Sequence, residues 1–280
     1  MVKERTASSV VLVSSAAGSV TQEIEYRLHE VFKADLVLDF DPKQDFFSLL
    51  TPGAKVIVAG GDGTVRFVAR RLAGTDHPLG ILPLGTFNNF ARSLGIPMDL
   101  EAAIQAARHG RPTPVTIGRV NGEPFLEAAT AGMFGAAITL GEAAKDLAFG
   151  DLGRRLQELV GARQFRYRLS GDLTLSGSAL SLVFANTPAT GARLPLASTS
   201  PVEPVLQLSV HAASSPLDLL RRIVAAVLRR RPVSPVLSFR RLHMETDPPV
   251  NVYADSEAIG QSPIDVEAQV GGLYVLLPPS

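Results

Sequence analysis

Residues 56–65 read Val-Ile-Val-Ala-Gly-Gly-Asp-Gly-Thr-Val. Val56, Ile57 and Val58 are β-branched and apolar, which predicts a short buried strand. The strand runs into Gly60-Gly61-Asp62-Gly63. Beyond it Val65, Val68, Ala69 and Leu72 recur at helical spacing. Strand, glycine turn and helix N-terminus together make an anion site. Glycines bring the backbone close to a phosphate with N–H groups turned inward, and the helix dipole adds a favourable field. Asp62 is the unusual member. A carboxylate repels a phosphate unless it holds Mg²⁺ or accepts a proton. The plainer reading is a tight turn whose aspartate caps the helix.

A second stretch of the same layout follows. Gly80-Ile81-Leu82-Pro83-Leu84-Gly85-Thr86-Phe87-Asn88-Asn89-Phe90-Ala91-Arg92 is an apolar strand, a Pro and Gly turn, polar Thr and Asn, and an amphipathic continuation. The pair GGDGTV and PLGTxNxFAR resembles the diacylglycerol kinase catalytic family, which holds bacterial lipid kinases and sphingosine kinases. GGDG alone is shared with NAD kinases. The resemblance is strong over about residues 55–100 and traceable to the C-terminus.

The 280 residues suit one large domain or two ordinary ones. At 46% hydrophobic and 19% charged, the chain can bury a sizeable core and is not a disordered polymer. A net charge of zero excludes a bulk electrostatic attraction to nucleic acid or to anionic membranes. The absence of cysteine removes disulfides, Cys-ligated zinc and thiol catalysis, and fits a cytoplasmic protein. His29, His77, His109, His211 and His243 are scattered without metal-ligand spacing. No apolar run reaches the length of a transmembrane segment. Lys3 and Arg5 ahead of Val10-Val11-Leu12-Val13 imitate a signal peptide weakly, but the run is short and reads as the first strand.

Strands at 9–13, 36–38 and 56–59 alternate with helices at about 20–33, 45–50 and 99–108. This predicts a mostly parallel three-layer α/β domain, with ligands beyond the C-terminal ends of its strands. Asp99 opens the last of these helices and Gly110 caps it. Gly110, Pro112 and Pro114 mark a boundary, giving domains 1–112 and 113–280. Short strands then recur at 115–120, 125–130, 164–170, 172–176, 179–185, 205–211, 236–246 and, in pieces, 264–277. They predict an antiparallel β-sandwich, in agreement with the second domain of the resembled family. Helices at about 151–161 and 216–230 interrupt it. In the latter, Leu217, Leu220, Ile223, Val224 and Val227 share one face, with Arg222 and Arg229 opposite. It reads either as a membrane-surface helix or as a cover for the sandwich.

The resemblance also implies a chemistry. It implies an ATP-dependent lipid kinase with Mg²⁺, acting in an interdomain cleft on a lipid hydroxyl at the membrane surface. Gly60, Gly61 and Gly63 would cradle the phosphates, and Thr64 and Thr86 would donate hydrogen bonds. Gly85 and Asn88 would shape the second turn, with Val65, Arg66 and Gly18 among the nucleotide contacts. Asp62 would hold Mg²⁺. In Tyr253-Ala254-Asp255-Ser256-Glu257, Glu257 would take the proton of the attacking hydroxyl, with Asp255 as runner-up. Glu203 is the candidate for a second metal, and Arg193 for phosphate or head-group contact.

The chain departs from the family pattern in several places. Ser14 and Ser15 replace Asn and Pro, Arg66 replaces Asn, Asn89 replaces Asp, Pro204 replaces Gly and Ser256 replaces Gly. These departures keep a second reading open, a catalytically weak nucleotide- or lipid-binding regulator. An NAD kinase is the third. No nucleic-acid partner is implied, and the pattern leaves room for peripheral membrane association and a homodimer.

Overall fold

The computed structural model describes residues 7–15, 20–33, 35–135, 162–191, 193–229 and 232–279. Gly18 and the helix expected over 151–161 lie outside the described residues. The chain divides into two compact units, Met1–Val115 with Gly271–Ser280, and Thr116–Val270.

The first unit is built from β1 (Ala7–Val13), α1 (Gln22–Val31), β2 (Leu36–Asp39), β3 (Leu50–Gly60), α2 (Asp62–Leu72), β4 (Leu79–Pro83), α3 (Asn89–Ser93) and α4 (Leu100–His109). Its strands pair in parallel in the order β2-β1-β3-β4. Successive residues of a strand point to opposite faces. Val11, Val13, Ile57 and Ala59 pack with Leu28 and Phe32 of the α1 region and with Ala103, Ile104 and Ala107 of α4. Val10, Leu12, Val56 and Val58, on the other face, are equally buried. Burial on both faces is why these strands read as unbroken apolar runs. The α1 and α4 N-termini are capped by the side chains of Thr21 and Asp99.

Two local expectations change. The helix expected over 45–50 is a single 3₁₀ turn, Phe47–Leu49. Gly110 follows α4 in an extended conformation with φ −61° rather than the left-handed one. Its glycine is required by space instead. A Cβ there would sit 2.3 Å from the carbonyl oxygen of Ala106 and 2.6 Å from that of Leu277.

The second unit takes the second half of β5 (Arg111–Val120), then β6 (Glu123–Phe125), β7 (Ala128–Gly132), β8 (Phe165–Gly171), β9 (Leu175–Ala179), β10 (Ser181–Ala185), β11 (Ala189–Thr190), β12 (Leu194–Pro195) and β13 (Leu206–His211). The helix α5 (Pro216–Arg229), β14 (Val236–Phe239), β15 (Arg241–Asp247), β16 (Asn251–Ala254), β17 (Glu257–Gln261) and β18 (Ile264–Leu277) complete the chain. One antiparallel sheet runs β14-β13-β10-β7-β16-β17, and β9-β8-β15 pair antiparallel with the start of β18. Ala129, Ala131, Leu182, Phe184, Leu208 and Val252 of the first sheet share one core with Phe165, Leu169, Leu242, Met244 and Val266 of the second. This is the antiparallel sandwich. β18 is one continuous strand rather than pieces, and Gly271 within it takes φ 67°, a backbone open to glycine. Its end returns to the first unit, where Val275 pairs in parallel with Leu79.

His211 closes β13 inside the second unit. Its ring stacks on Phe134, centroids 4.7 Å apart, and its nitrogens meet the hydroxyls of Ser209 at 2.8 Å and Ser234 at 3.1 Å. Burial drives its pKa down to about 4, and Arg222 pushes the same way. The imidazole is therefore neutral in the fold, while the unfolded chain takes up a proton near 6.5. Its stabilisation is present above pH 6.5 and is lost as pH falls towards about 4, at up to ~1.4 kcal/mol per pH unit. Urea unfolding across that window should show the slope in the wild type. His211→Gln should flatten it; an unchanged slope would assign the acid sensitivity elsewhere.

Candidate active site

The glycine turns after β3 and β4 lock together through backbone. Leu84 N–H donates to the Gly60 carbonyl at 3.0 Å. A Cβ on Gly85 would fall 2.6 Å from the Gly61 Cα and 2.8 Å from Asn88 Oδ1, and one on Gly61 would fall 3.2 Å from the Gly85 Cα. Gly85 leaves no room for a Cβ where the two turns touch, and Gly61 leaves only a tight one. Asn88, at φ 51°, closes its own turn. Its Oδ1 accepts from Gly85 N–H at 2.9 Å, and its Nδ2 donates to the carbonyls of Gly85 and Pro83 at 2.7 and 3.2 Å. Its backbone N–H donates to Asp62 Oδ2 at 2.8 Å. Asp62 therefore does more than open α2: one of its oxygens ties the first turn to the second.

Gly61 is the N-cap of α2, and no side chain caps that helix. An uncapped N-terminus presents N–H groups to an incoming anion. Gly63 sits in the first turn and is exposed. A Cβ there would meet nothing within 4 Å. The fold has no steric need for that glycine, which costs up to ~1 kcal/mol relative to alanine in a helix. Open space over bare backbone is what a phosphate would occupy. Gly63→Ala is therefore expected to raise the melting temperature slightly and to weaken ATP binding. Gly85→Ala, by contrast, should destabilise the fold outright. Thermal melts with and without ATP check both, and equal effects of the two substitutions would contradict the assignment.

The other expected contacts divide. Thr86 is exposed on the second turn, and Thr64 and Arg66 are half-buried in α2. Val65 points the other way: its side chain is buried and its N–H is spent on the Gly61 carbonyl. It supports the turn. Ser14 is buried at the end of β1, donating its N–H to the Ala59 carbonyl at 2.9 Å, and its Cβ is one of the atoms that crowd Gly60. Asn89 is buried at the start of α3.

In the second unit, Asp255 and Ser256 form the turn between β16 and β17, and Glu257 is the first residue of β17. Asp255 is 5% exposed with φ 53°. Its carboxylate accepts the N–H groups of Leu126, Glu127 and Ala128 at 2.8–3.3 Å. It is occupied in holding the entry to β7 to this turn. Glu257 is exposed.

A polar cluster supports the same corner, and its acid, Glu127, is one that the sequence does not single out. Glu127 is buried and accepts from the Thr190 hydroxyl at 2.6 Å. Asn186, fully buried, donates to the carbonyls of Thr116 and Leu126 at 3.0 and 2.9 Å. An acid within Phe125-Leu126-Glu127-Ala128-Ala129 was the available signal, since a carboxylate in a buried strand must be hydrogen-bonded.

Arg193 is exposed with φ 58°. The Glu203 carbonyl, not its carboxylate, receives the Thr116 hydroxyl at 2.7 Å. Among the described residues no three His, Cys, Asp or Glu gather as a metal cage. A Mg²⁺ ion that arrives with a nucleotide needs only one or two carboxylates beside the phosphates, so Asp62 fits that demand.

The family model of the diacylglycerol kinase catalytic domain matches residues 14–120. A Klebsiella pneumoniae protein named "Probable lipid kinase YegS-like" is 52% identical over 87 residues, 30% of this chain and 29% of that one. A Pectobacterium atrosepticum protein of the same name is 32% identical over 236 residues, 80% of this chain and 78% of that one. The match thus spans less than a third of the Klebsiella relative's length and over three quarters of the Pectobacterium one's. Among solved structures, a diacylglycerol kinase from Bacillus anthracis superposes with a TM-score of 0.70 at 21% identity, covering 98% of each chain. Yeast NADH kinase superposes with a TM-score of 0.54 at 14% identity, over 97% of this chain and 83% of that one. The two superpositions show a shared fold and nothing finer.

Proposed function

Because the chain belongs to the diacylglycerol kinase catalytic family, we propose that it transfers the γ-phosphoryl group of ATP to the hydroxyl of a lipid such as diacylglycerol. The observation that carries the reading is the joined pair of glycine turns, with Asp62 bonded to Asn88 and open backbone at Gly63. Phosphoryl transfer asks a protein mainly for positioning and charge neutralisation. The uncapped start of α2 supplies N–H groups for the phosphates, and Thr64 and Thr86 add hydroxyl donors. Asp62 is the carboxylate that would hold Mg²⁺. When bound, that ion neutralises charge on the β- and γ-phosphates. Glu257 accepts the proton of the attacking hydroxyl, while Asp255 and the cluster at Glu127 and Asn186 keep its hairpin in place.

The NAD kinase alternative shares the GGDG turn but not the Gly85-Thr86-Phe87-Asn88-Asn89-Phe90-Ala91-Arg92 run on which this reading rests. Release of ADP separates the readings. It should be accelerated by mixed micelles containing diacylglycerol, a long-chain base, phosphatidylglycerol or an isoprenoid alcohol, and not by NAD. Acceleration by NAD alone would contradict the lipid assignment. ATP binding with no ADP release under any condition would favour a nucleotide-binding regulator, which the substitutions at Ser14, Ser15 and Ser256 keep in view.

A further inference from the structure

The helix α5 has two apolar faces, and only one of them is used. Leu219 and Ala226 are buried, and Ile223 packs half-buried against the same core as Phe134, Val183 and Leu196. Leu217, Val224 and Leu228 are 56%, 52% and 79% exposed. At about 100° per residue, these three lie on the side of the helix opposite to Leu219, Ile223 and Ala226. The single apolar face suggested by the sequence thus splits, and Leu217 and Val224 do not join the core. Three of the eight large apolar side chains exposed among the described residues stand on this one helix. Core packing does not account for them.

The charge around the stripe names its occupant. Arg221 is exposed beside it, about 40° round the helix from Leu217. The helix's one acid, Asp218, is neutralised by Arg222 at 3.1 Å and accepts the Ser214 N–H at 3.2 Å. The sequence then runs Arg229-Arg230-Arg231. This concentration is local, because the whole chain carries no net charge. A cationic helix with an apolar outward stripe matches the interface of an anionic bilayer, where leucine and valine enter the acyl boundary and arginines meet the head groups. The match is to lying on a membrane, since no described helix is long and apolar enough to cross one.

We propose that α5 is a membrane-docking helix that seats the second unit on anionic lipid through Leu217, Val224, Leu228 and Arg221. The proposal concerns a surface outside the phosphoryl-transfer machinery and does not depend on that chemistry.

Vesicle sedimentation in the absence of nucleotide tests it. The wild type should bind vesicles of equimolar phosphatidylglycerol and phosphatidylcholine, bind phosphatidylcholine alone weakly, and be released by raised salt. Leu228→Ser should lower partitioning about tenfold, and Arg221→Glu at least about fivefold. Both positions are exposed, so both variants should keep the wild-type thermal melt. Absence of vesicle binding, or variants that bind as the wild type does, would overturn the proposal. So would a change in sedimentation-velocity mass with Leu228→Ser, which would assign the stripe to a second copy of this chain. Failure of lipid phosphorylation with vesicle binding intact would count against the kinase reading alone.

Discussion

Glu257→Ala is expected to lower the rate of phosphoryl transfer about a thousandfold, the contribution of a general base, while leaving stability within about 0.5 kcal/mol of the wild type, as exposed substitutions do. Asp255→Ala, two residues earlier, should do the reverse in kind. Asp255 is buried, and its carboxylate receives three backbone N–H groups from Leu126, Glu127 and Ala128. Removing it leaves buried donors without acceptors, each costing ~1–3 kcal/mol. The total loss should be about 3–5 kcal/mol in urea unfolding. Asp255→Asn keeps an acceptor and tolerates the left-handed backbone at φ 53°, so it should recover part of that loss. If Glu257→Ala destabilised the protein as strongly as Asp255→Ala, the division of labour across this hairpin would be wrong. If it retained full turnover, another residue would be the base.

The second large effect belongs to Asp62. Asp62→Asn retains an oxygen to receive the Asn88 N–H now bonded at 2.8 Å, and so preserves the link between the turns. What it removes is the charge. Turnover is expected to fall about a hundredfold to a thousandfold, with the thermal melt essentially unmoved. Asp62→Ala removes the link as well, and should add a loss of ~1 kcal/mol in stability. Full activity in Asp62→Asn would reduce Asp62 to a turn residue and remove it from the chemistry.

The parallel half of the fold is legible because its strands are buried on both faces. Val56-Ile57-Val58 and Gly80-Ile81-Leu82 carry no polar alternation to confuse the period, and glycine turns bracket them. The sandwich is legible for a different reason, the spacing of short strands between Gly and Pro turns. What escapes the sequence is what depends on distant partners. Asp255 looks like a turn residue until its carboxylate is seen on Leu126, Glu127 and Ala128, more than a hundred residues earlier in the chain. Gly110 reads as a helix cap, yet its need for glycine comes in part from the carbonyl of Leu277. The α5 pattern shows that the helix is amphipathic but not which arc meets the core, since an apolar arc has no sign that distinguishes protein from lipid. At the glycine turns the motif names the residues. The contact of Gly61 with Gly85, and the open space over Gly63, belong to three dimensions.

The most direct test is transfer itself. The protein, incubated with γ-labelled ATP, Mg²⁺ and diacylglycerol in mixed micelles, should place label in the organic-extractable lipid, and chelation of Mg²⁺ should stop it. Label confined to free phosphate or to a water-soluble acceptor, with the organic phase empty for every lipid hydroxyl offered, would contradict the account.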